Sequence, residues 1–511
     1  MRTKKILVSL IFVTGYLIMS LEILGGRLLA PFFGNSVYVW GSLIGVILIA
    51  LAGGYYLGGW LSELCRDKEN KKEPDLFLDR LFLLAVIFLL LDLFFYASIL
   101  KWLSSWDIIW GALCSALILF CVPMAALAAV SPLVIKILAE QEKTGYSAGL
   151  VYAWGTMGSI LGTFLTTFWL IPYLGSRLTL YICFFIALLA LVGLFLLVNR
   201  RQIITGVVIL LISLATLLPP ALPQDVILET ESVYNQIKLI NKEGKILLTL
   251  NSQRDSLAQS GHADPNTGSS WSYLDSLFGV GPLIEPVDNL LVLGMAAGST
   301  ILQHQTFSPQ IKIDAVEIDP RIIKIAKDEF GLKENENLRI WQADARPFLA
   351  KSQKQYDMIE IDLFQGSPYI PFYVATQEFF EATAEHLSPN GIIMMNVYAP
   401  GRREILEPIL NTLASVYPSV YKIPLRNNFI ILATNSKTST EEIREKLKKQ
   451  EEKVSAGLGV TANYTCGLGA ALNYSWNNIE LYQSTKKAPI FTDDWAPVEA
   501  ITYKMLKSLK I

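Results

Sequence analysis

The chain has 511 residues, a net charge of −2, a pI near 6.1 and a hydrophobic content of 52%. Because no basic excess is present, the sequence lacks the usual signature of a nucleic-acid-binding protein, and no nucleic-acid partner is expected. The five cysteines show no CxxC spacing, so neither a disulfide framework nor a metal site is indicated.

Apolar sequence is concentrated before residue 220. A helix needs about 20 apolar residues to cross a bilayer core. The first apolar segment has a basic start, but Glu22 and Arg27 follow it instead of a small-residue cleavage site, so we interpret it as a retained helix. Residues 1–220 are therefore predicted to form an all-α, multi-pass bundle in the lipid bilayer of a cell membrane. The predicted spans are Ile6–Leu24, Trp40–Leu61, Leu81–Leu100, Ile108–Val130, Leu150–Pro172, Leu178–Val198 and Ile203–Leu218.

Glycines four residues apart occur in the second and fifth spans, from Gly41 to Gly59 and from Gly155 to Gly162. Small residues let helix backbones approach closely in lipid, so this pattern predicts helix packing, with a transport pathway as the alternative. Asp92 lies within the third span, where a charge costs several kcal/mol unless it is paired. A functional carboxylate, a buried ion pair and a protonated acid are all compatible with this position.

Lysines and arginines concentrate in the loops on one side of the predicted bundle, which predicts a cytoplasmic N-terminus. Seven spans would then place the C-terminal half outside, where nucleoside cofactors are scarce. Either the number of spans differs by one or the C-terminal half is external, and the sequence leaves both alternatives open.

Residues 221–288 follow a proline-rich break at Pro219–Pro223 and are predicted to form a small β-rich region on the substrate side. Val226–Leu250 alternates apolar and polar residues around a turn at Asn241–Gly244, which predicts a β-hairpin. A polar loop and a short amphipathic helix around Trp271–Phe278 come next.

Residues 289–511 alternate strands and helices, which predicts a parallel sheet with crossover helices, a Rossmann-like α/β domain. Ligands of such sheets bind at the carboxyl ends of the strands. The predicted strands are Leu290–Gly294, Ile311–Ile318, Leu338–Ala343, Tyr356–Asp362 and Gly391–Val397, and the predicted helices include Pro320–Glu329 and Gln377–Leu387.

Chemistry-bearing residues stand at four of these strand ends. The first strand runs into a turn from Gly294 to Gly298, where missing side chains allow a ligand to approach the backbone at a helix N-terminus. Glu317 ends the second strand and is positioned to bind ribose hydroxyls. Asp344 and Asp362 end the third and fourth strands, and the first of these can accept a hydrogen bond from an adenine amino group. Together these residues predict a nucleoside site.

The series resembles the spermidine synthase (polyamine aminopropyltransferase) family, which is related to S-adenosylmethionine-dependent methyltransferases. Tyr234–Ile237 looks like the early strand of that family, Tyr356–Asp362 like the strand that delivers its catalytic aspartate, and Thr492–Glu499 like its C-terminal signature. The resemblance covers roughly Glu229 to Glu499. The N-terminal half, with a motif from Ala30 to Gly59, looks like the membrane region of membrane-fused members.

The resemblance implies decarboxylated S-adenosylmethionine, or S-adenosylmethionine itself, as co-substrate and a small amine or polyamine as acceptor. It implies that Asp362 is catalytic and receives the proton of the attacking amine, and a homodimer is compatible with it. The residues it implies for cofactor binding are Gly294, Gly298, Glu317, Asp344 and Ala345. The residues it implies on the amine side are Tyr273, also as a catalytic residue, with Gln236, Asp275 and Gln365.

Two departures from the family pattern weaken the case for a diamine acceptor. Ser269–Ser270 stands where the family has an acid pair, and Gln365 where it has a second aspartate that helps to hold a cationic amine. Three functions therefore remain: aminopropyl transfer, methyl transfer from S-adenosylmethionine, and a non-catalytic nucleoside or polyamine sensor on a transporter or receptor. His304, on a predicted helix without metal-ligand spacing, is given no role.

Overall fold

The computed structural model describes two compact units, Met1–Leu222 and Pro223–Ile511. The residues that it describes are 2–34, 36–64, 75–198, 209, 224–242, 244–251, 260–261, 273–364, 369–400, 404–457, 467–485 and 487–508. Apart from Ile209, the predicted span Ile203–Leu218 lies outside these residues.

The first unit is helical, as predicted. Five helices in its described part are long and apolar enough to cross a membrane. The fifth, Thr144–Leu196, covers 53 residues; at about 1.5 Å per residue it would be far longer than a bilayer core about 30 Å thick. Gly175, with φ 79° and ψ 169°, interrupts it between the predicted fifth and sixth spans. The helices are α1 (Arg2–Phe33), α2 (Val37–Leu64), α3 (Asp75–Leu103), α4 (Ile108–Ala139), α5 (Thr144–Leu165) and α6 (Ile171–Val198).

Helices α1 and α5 pack through glycines of α5. A Cβ atom added at Gly158 would lie 2.0 Å from the carbonyl oxygen of Phe12, and one at Gly162 would lie 2.4 Å from that of Tyr16. Because residue numbers rise together along both helices, α1 and α5 run parallel. Glycine is required at these positions for the two backbones to approach.

Helices α2 and α4 form a second parallel pair of the same kind. Cβ atoms added at Gly54 and Gly58 would each lie 2.3 Å from a carbonyl oxygen, that of Ala125 and that of Ala129. The predicted glycine packing is thus confirmed at these positions. At four other glycines of α2 it stays a prediction, because a Cβ atom added there would meet no described atom within 4 Å. These glycines are Gly41, Gly45, Gly53 and Gly59.

The second unit begins with a four-stranded antiparallel sheet, which confirms the predicted hairpin and extends it on both sides. Its strands, in spatial order, are β1 (Val226–Glu231), β2 (Gln236–Lys242), β3 (Lys245–Leu250) and β4 (Ser260–Gly261). Gly244, with φ 81°, allows the tight turn between β2 and β3. Ile237, Leu239 and Leu248 are buried in one cluster on this sheet.

The second sheet has eight strands and confirms the Rossmann-like α/β fold. Its strands are β5 (Asn289–Leu293), β6 (Lys312–Glu317), β7 (Leu338–Gln342), β8 (Tyr356–Ile361), β9 (Leu387–Tyr398), β10 (Ser419–Pro424), β11 (Asn428–Thr434) and β12 (Glu480–Leu481). Their spatial order is β12-β10-β11-β9-β8-β5-β6-β7. The five strands β9, β8, β5, β6 and β7 are parallel to one another. Strands β10, β11 and β12 pair antiparallel with their neighbours.

Helices cover both faces of this sheet. In β5, Leu291 and Leu293 belong to one buried cluster and Leu290 and Val292 to another, because successive side chains of a strand point to opposite faces. The helices are α7 (Tyr273–Phe278), α8 (Gly281–Ile284), α9 (Ser299–Phe307), α10 (Pro320–Asp328), α11 (Ala345–Lys351), α12 (Gln377–Glu385), α13 (Leu406–Val416), α14 (Thr440–Gly457), α15 (Leu468–Asn478) and α16 (Val498–Ser508).

Candidate active site

The glycine turn after β5 lies against the end of β8. Gly294, Ala296 and Gly298 all have positive φ, at 86°, 45° and 81°. A Cβ atom added at Gly294 would lie 2.4 Å from the carbonyl oxygen of Asp362, so only glycine fits there. The backbone N–H of Asp362 donates to the carbonyl of Leu293 at 3.0 Å. The turn and the predicted catalytic aspartate are therefore neighbours.

Glu317, at the end of β6, is held against the same turn. Its Oε2 accepts the backbone N–H of Ala296 at 3.2 Å, and its Oε1 accepts that of Asp319 at 3.0 Å. The side chain is 8% exposed, and burial raises its pKa to about 7. This acid is thus built into the glycine turn, where sequence placed the ribose-binding group.

Replacing Glu317 with glutamine should remove a pH dependence of stability. The folded-state pKa of about 7 lies above the ordinary value of 4.5. The native state therefore holds a proton that the unfolded state has lost, and this carboxyl makes stability fall as pH rises from about 4.5 to about 7, by on the order of 3 kcal/mol. Thermal unfolding of the full-length protein at pH 5 and pH 8 should show a smaller pH effect for Glu317→Gln than for wild type.

The matched control is Glu336→Gln, which changes an exposed glutamate two residues before β7. It should leave the wild-type pH effect intact. Equal pH effects in wild type and Glu317→Gln would contradict the assignment of this titration to Glu317.

Asp344 follows β7, and the backbone connects it to Glu317, since the N–H of Ala343 donates to the carbonyl of Glu317 at 3.1 Å. Its Oδ1 accepts the backbone N–H of Arg346 and caps α11, and its Oδ2 accepts the Tyr373 hydroxyl at 3.3 Å. Burial and this carboxylate raise the pKa of Tyr373 to about 12. Each carboxylate oxygen keeps a second lone pair, so Asp344 can accept a further hydrogen bond. The buried Ala345 begins α11.

The C-terminal segment Thr492–Glu499 is attached beside Asp344. The Arg346 guanidinium forms a two-bond ion pair with Asp493, in which Nη1 donates to Oδ1 at 2.8 Å. The Thr376 hydroxyl donates to the same Oδ1 at 2.8 Å. A segment more than 140 residues away in sequence is thus fixed at the end of β7.

Asp362 is oriented by two asparagines that sequence analysis missed. Its Oδ1 accepts Nδ2 of Asn396 at 3.0 Å, and Oδ1 of Asn396 accepts Nδ2 of Asn428 at 2.8 Å. Burial raises the pKa of Asp362 to about 6, and the Asn396 hydrogen bond opposes that rise. Asn396 comes from β9 and Asn428 from the antiparallel strand β11, which the strand–helix alternation did not predict.

Nε2 of His304 and Oε1 of Glu360 form a buried hydrogen bond, with side-chain exposures of 1% and 2%. Glu360 precedes Asp362 by two residues, and its charge contributes to the raised pKa of Asp362. No role was assigned to His304 from sequence. Glu360 was the signal in the sequence, because an acid between the two isoleucines of a buried strand requires a partner.

Gln236, expected on the amine side, is engaged within the small sheet. Its backbone N–H donates to Asn251 at 2.8 Å and its Nε2 donates to Glu229 at 3.0 Å. The neighbouring loop nevertheless reaches the end of β6, because Asp319 accepts Nδ2 of Asn235 at 2.9 Å.

The other residues expected on the amine side are described less fully. Asp275 is buried in α7, which packs against α9 and α15. Tyr273 begins α7, but its side chain lies outside the described residues, as do Gln365 and Ser269–Ser270. The structure thus brings together Gly294, Glu317, Asp344 and Asp362, and the roles of these and of the amine-side residues remain predictions.

Parallel strands, a glycine turn and three acids at successive strand ends define the class of this half of the chain: a Rossmann-like α/β domain with a candidate nucleoside site. Within that class, residues 276–444 match the spermine/spermidine synthase domain. The C-terminal half therefore carries a domain of the spermine/spermidine synthase family.

Curated relatives of the chain include polyamine aminopropyltransferases and a methyltransferase. The chain is 27% identical over 286 residues to a probable polyamine aminopropyl transferase of Bifidobacterium longum, covering 53% of this chain and 61% of the relative. It is 26% identical over 312 residues to a polyamine aminopropyltransferase of Vibrio vulnificus, covering 58% and 99%. An eEF1A lysine and N-terminal methyltransferase of Bos taurus is 26% identical over 186 residues, covering 33% and 26%. The chain thus spans about three fifths of the Bifidobacterium relative. By their names, the two bacterial relatives are transferases.

Proposed function

We propose that the C-terminal half is a membrane-tethered aminopropyltransferase that moves an aminopropyl group from decarboxylated S-adenosylmethionine to an amine acceptor. The observation that carries this proposal is Asp362, a half-buried carboxylate held by Asn396 beside the glycine turn. The family of residues 276–444 supports it.

The residues at the strand ends fit a sulfonium nucleoside. The buried Glu317 is bonded to the turn through the N–H of Ala296 and stands where it would bind the ribose hydroxyls. Asp344 and Ala345 would hold the adenine. When bound, such a nucleoside would supply the carbon that the acceptor amine attacks.

Asp362 would prepare the acceptor for this attack. An amine with a pKa near 10 is protonated at neutral pH and has no free electron pair. A pKa of about 6 keeps Asp362 largely ionised at pH 7, so that it attracts the ammonium group and accepts its proton. The amine nitrogen then forms a bond to the carbon beside the sulfur. The electrons of the broken carbon–sulfur bond remain on sulfur, which leaves methylthioadenosine as a neutral product.

The second candidate function is methyl transfer from S-adenosylmethionine to an amine. The similarity to the eEF1A lysine and N-terminal methyltransferase favours it. Asp362 would take the same proton, but the site would also have to accommodate the carboxylate of the intact amino acid group.

Product analysis distinguishes the two functions. The purified full-length protein, in detergent, is incubated with decarboxylated or intact S-adenosylmethionine and with diamine or monoamine acceptors. Methylthioadenosine together with an aminopropylated amine supports the proposal. S-adenosylhomocysteine with a methylated amine supports the second candidate, and the absence of both product pairs with every acceptor contradicts both.

We propose that the N-terminal bundle inserts into a cell membrane with its N-terminus in the cytoplasm. Its support is the set of five apolar helices and the lysine and arginine bias of the loops.

Replacing Asn396 with alanine should move the acid limb of the pH–rate profile to higher pH. The hydrogen bond from Asn396 lowers the pKa of Asp362, so its loss raises that pKa and reduces the ionised fraction at neutral pH. A hydrogen bond to a charged group contributes about 1.5–3 kcal/mol, so we expect turnover at pH 7 to fall by roughly two- to fifteenfold.

Asn411→Ala serves as the control for Asn396→Ala. Asn411 is also buried, and its side-chain amide donates hydrogen bonds to the carbonyls of Thr485 and Ala488 and not to Asp362. It should lower stability without moving the acid limb. An unchanged pH–rate profile in Asn396→Ala would contradict the role of the Asn396 amide in orienting Asp362.

A further inference from the structure

Asp92 is a buried carboxylate in the middle part of α3. The side chain is 6% exposed, and its Oδ2 atom has no hydrogen-bond partner among the residues that the structure describes. An acid buried in an apolar region is costly unless a partner or a proton satisfies it. The sequence leaves the role of this residue open, and the proposed transferase chemistry does not use it.

A cavity of about 380 Å³ lies beside this carboxylate. Phe88, Asp92, Phe95 and Trp102 line it from a single face of α3, as their spacing of three, four or seven residues requires. Ile118 completes the wall from the π-helical turn Leu117–Cys121 of α4. Single π-helical turns are rare and frequently mark functional sites in helices.

The lining of the cavity selects for one kind of ligand. Its walls are mainly aromatic and aliphatic, and Asp92 is the only charged residue among the described residues that line it. An ammonium group in the cavity can approach the Asp92 carboxylate and lie against aromatic faces, which attract cations by about 0.5–2 kcal/mol. A second positive charge would find no acid in this lining.

We propose that this cavity binds a monoprotonated organic amine with an apolar body, with its ammonium group on Asp92. The volume falls in the range of small-molecule sites. Phe95 and Trp102 are 52% and 60% exposed, so the ligand enters from the side of the bundle that these two residues flank. The proposal concerns the N-terminal unit alone and does not depend on the reaction of the C-terminal half.

Calorimetric titration of the full-length protein in lipid nanodiscs tests the proposal, with empty nanodiscs as the blank. The probes are phenethylamine, its neutral counterpart 2-phenylethanol, and putrescine as a dication. We expect saturable one-to-one binding of phenethylamine, with 2-phenylethanol and putrescine at least tenfold weaker. Asp92→Asn should weaken phenethylamine binding at least tenfold.

The matched control is Asp79→Asn, which changes another buried carboxyl of α3 that does not line the cavity. It should leave the affinity within twofold of wild type. Phe95→Leu, which keeps the carboxylate, should weaken phenethylamine binding about threefold and tests the site even if Asp92→Asn does not fold. Equal affinity in Asp92→Asn, equal binding of 2-phenylethanol, or no saturable binding by wild type would overturn the proposal.

Discussion

Replacing Asp362 with asparagine should lower the turnover of the proposed transferase by about 10²–10⁴-fold, the range that general-base catalysis contributes. The amide keeps the size of the side chain but can neither carry the negative charge that attracts the ammonium group nor accept its proton. Nucleoside affinity should change by less than about threefold, since Glu317 and the glycine turn remain in place. Single-turnover kinetics and calorimetric titration with the nucleoside measure the two effects separately.

Asp357→Asn is a matched control on the same strand. Asp357 lies at the opposite end of β8, where its Oδ2 accepts the backbone N–H groups of Asp288 at 3.1 Å and Asn289 at 2.9 Å. It should cost stability but leave turnover near the wild-type value. Equal loss of turnover in both variants would argue against a chemical role for Asp362. Nucleoside binding without any product from wild type would instead favour a sensor domain.

Replacing Gly158 with leucine should destabilise the bundle by on the order of 3 kcal/mol, the upper part of the usual range for overpacking. A Cβ atom at this position would lie 2.0 Å from the carbonyl oxygen of Phe12, so α1 and α5 would have to separate. The effect is measured by thermal unfolding of the purified protein in detergent, and the loss of the monodisperse fraction reports the unfolding.

Gly149→Leu provides the comparison on the same helix. A Cβ atom added at Gly149 meets no described atom within 4 Å, so leucine should be tolerated there and improve helix propensity. If both variants unfolded at the wild-type temperature, the tight contact between α1 and α5 would not contribute to the stability of the bundle.

The sequence predicted the parts of the fold that rest on local patterns. Hydrophobic length located the helices, alternation located the β2–β3 hairpin, and the strand–helix series located β5 to β9, because each pattern reflects burial within a single element. The antiparallel edge of β10, β11 and β12 could not be obtained in this way, because it depends on pairing between distant segments.

In the candidate site, too, some residues could be predicted from local sequence patterns and others could not. Gly294, Glu317, Asp344 and Asp362 could be found because parallel strands place their carboxyl ends at one edge. Asn396 and Asn428 could not, because a lone asparagine on a strand gives no sign of which carboxylate it will meet. The glycines of α2 illustrate a further limit, since spacing alone does not reveal which face of a helix will be covered.

The parallel pairing of α1 with α5 has a consequence for biosynthesis. Neighbours in sequence can associate as soon as each emerges, but the closest partner of α1 is made more than a hundred residues later. In the proposed membrane bundle, the first helix would therefore remain without the contacts of Phe12 and Tyr16 to α5 until Gly158 and Gly162 are synthesised. Insertion and assembly would thus be separate events in time, and a nascent chain halted before α5 would expose the surface of α1 that α5 later covers.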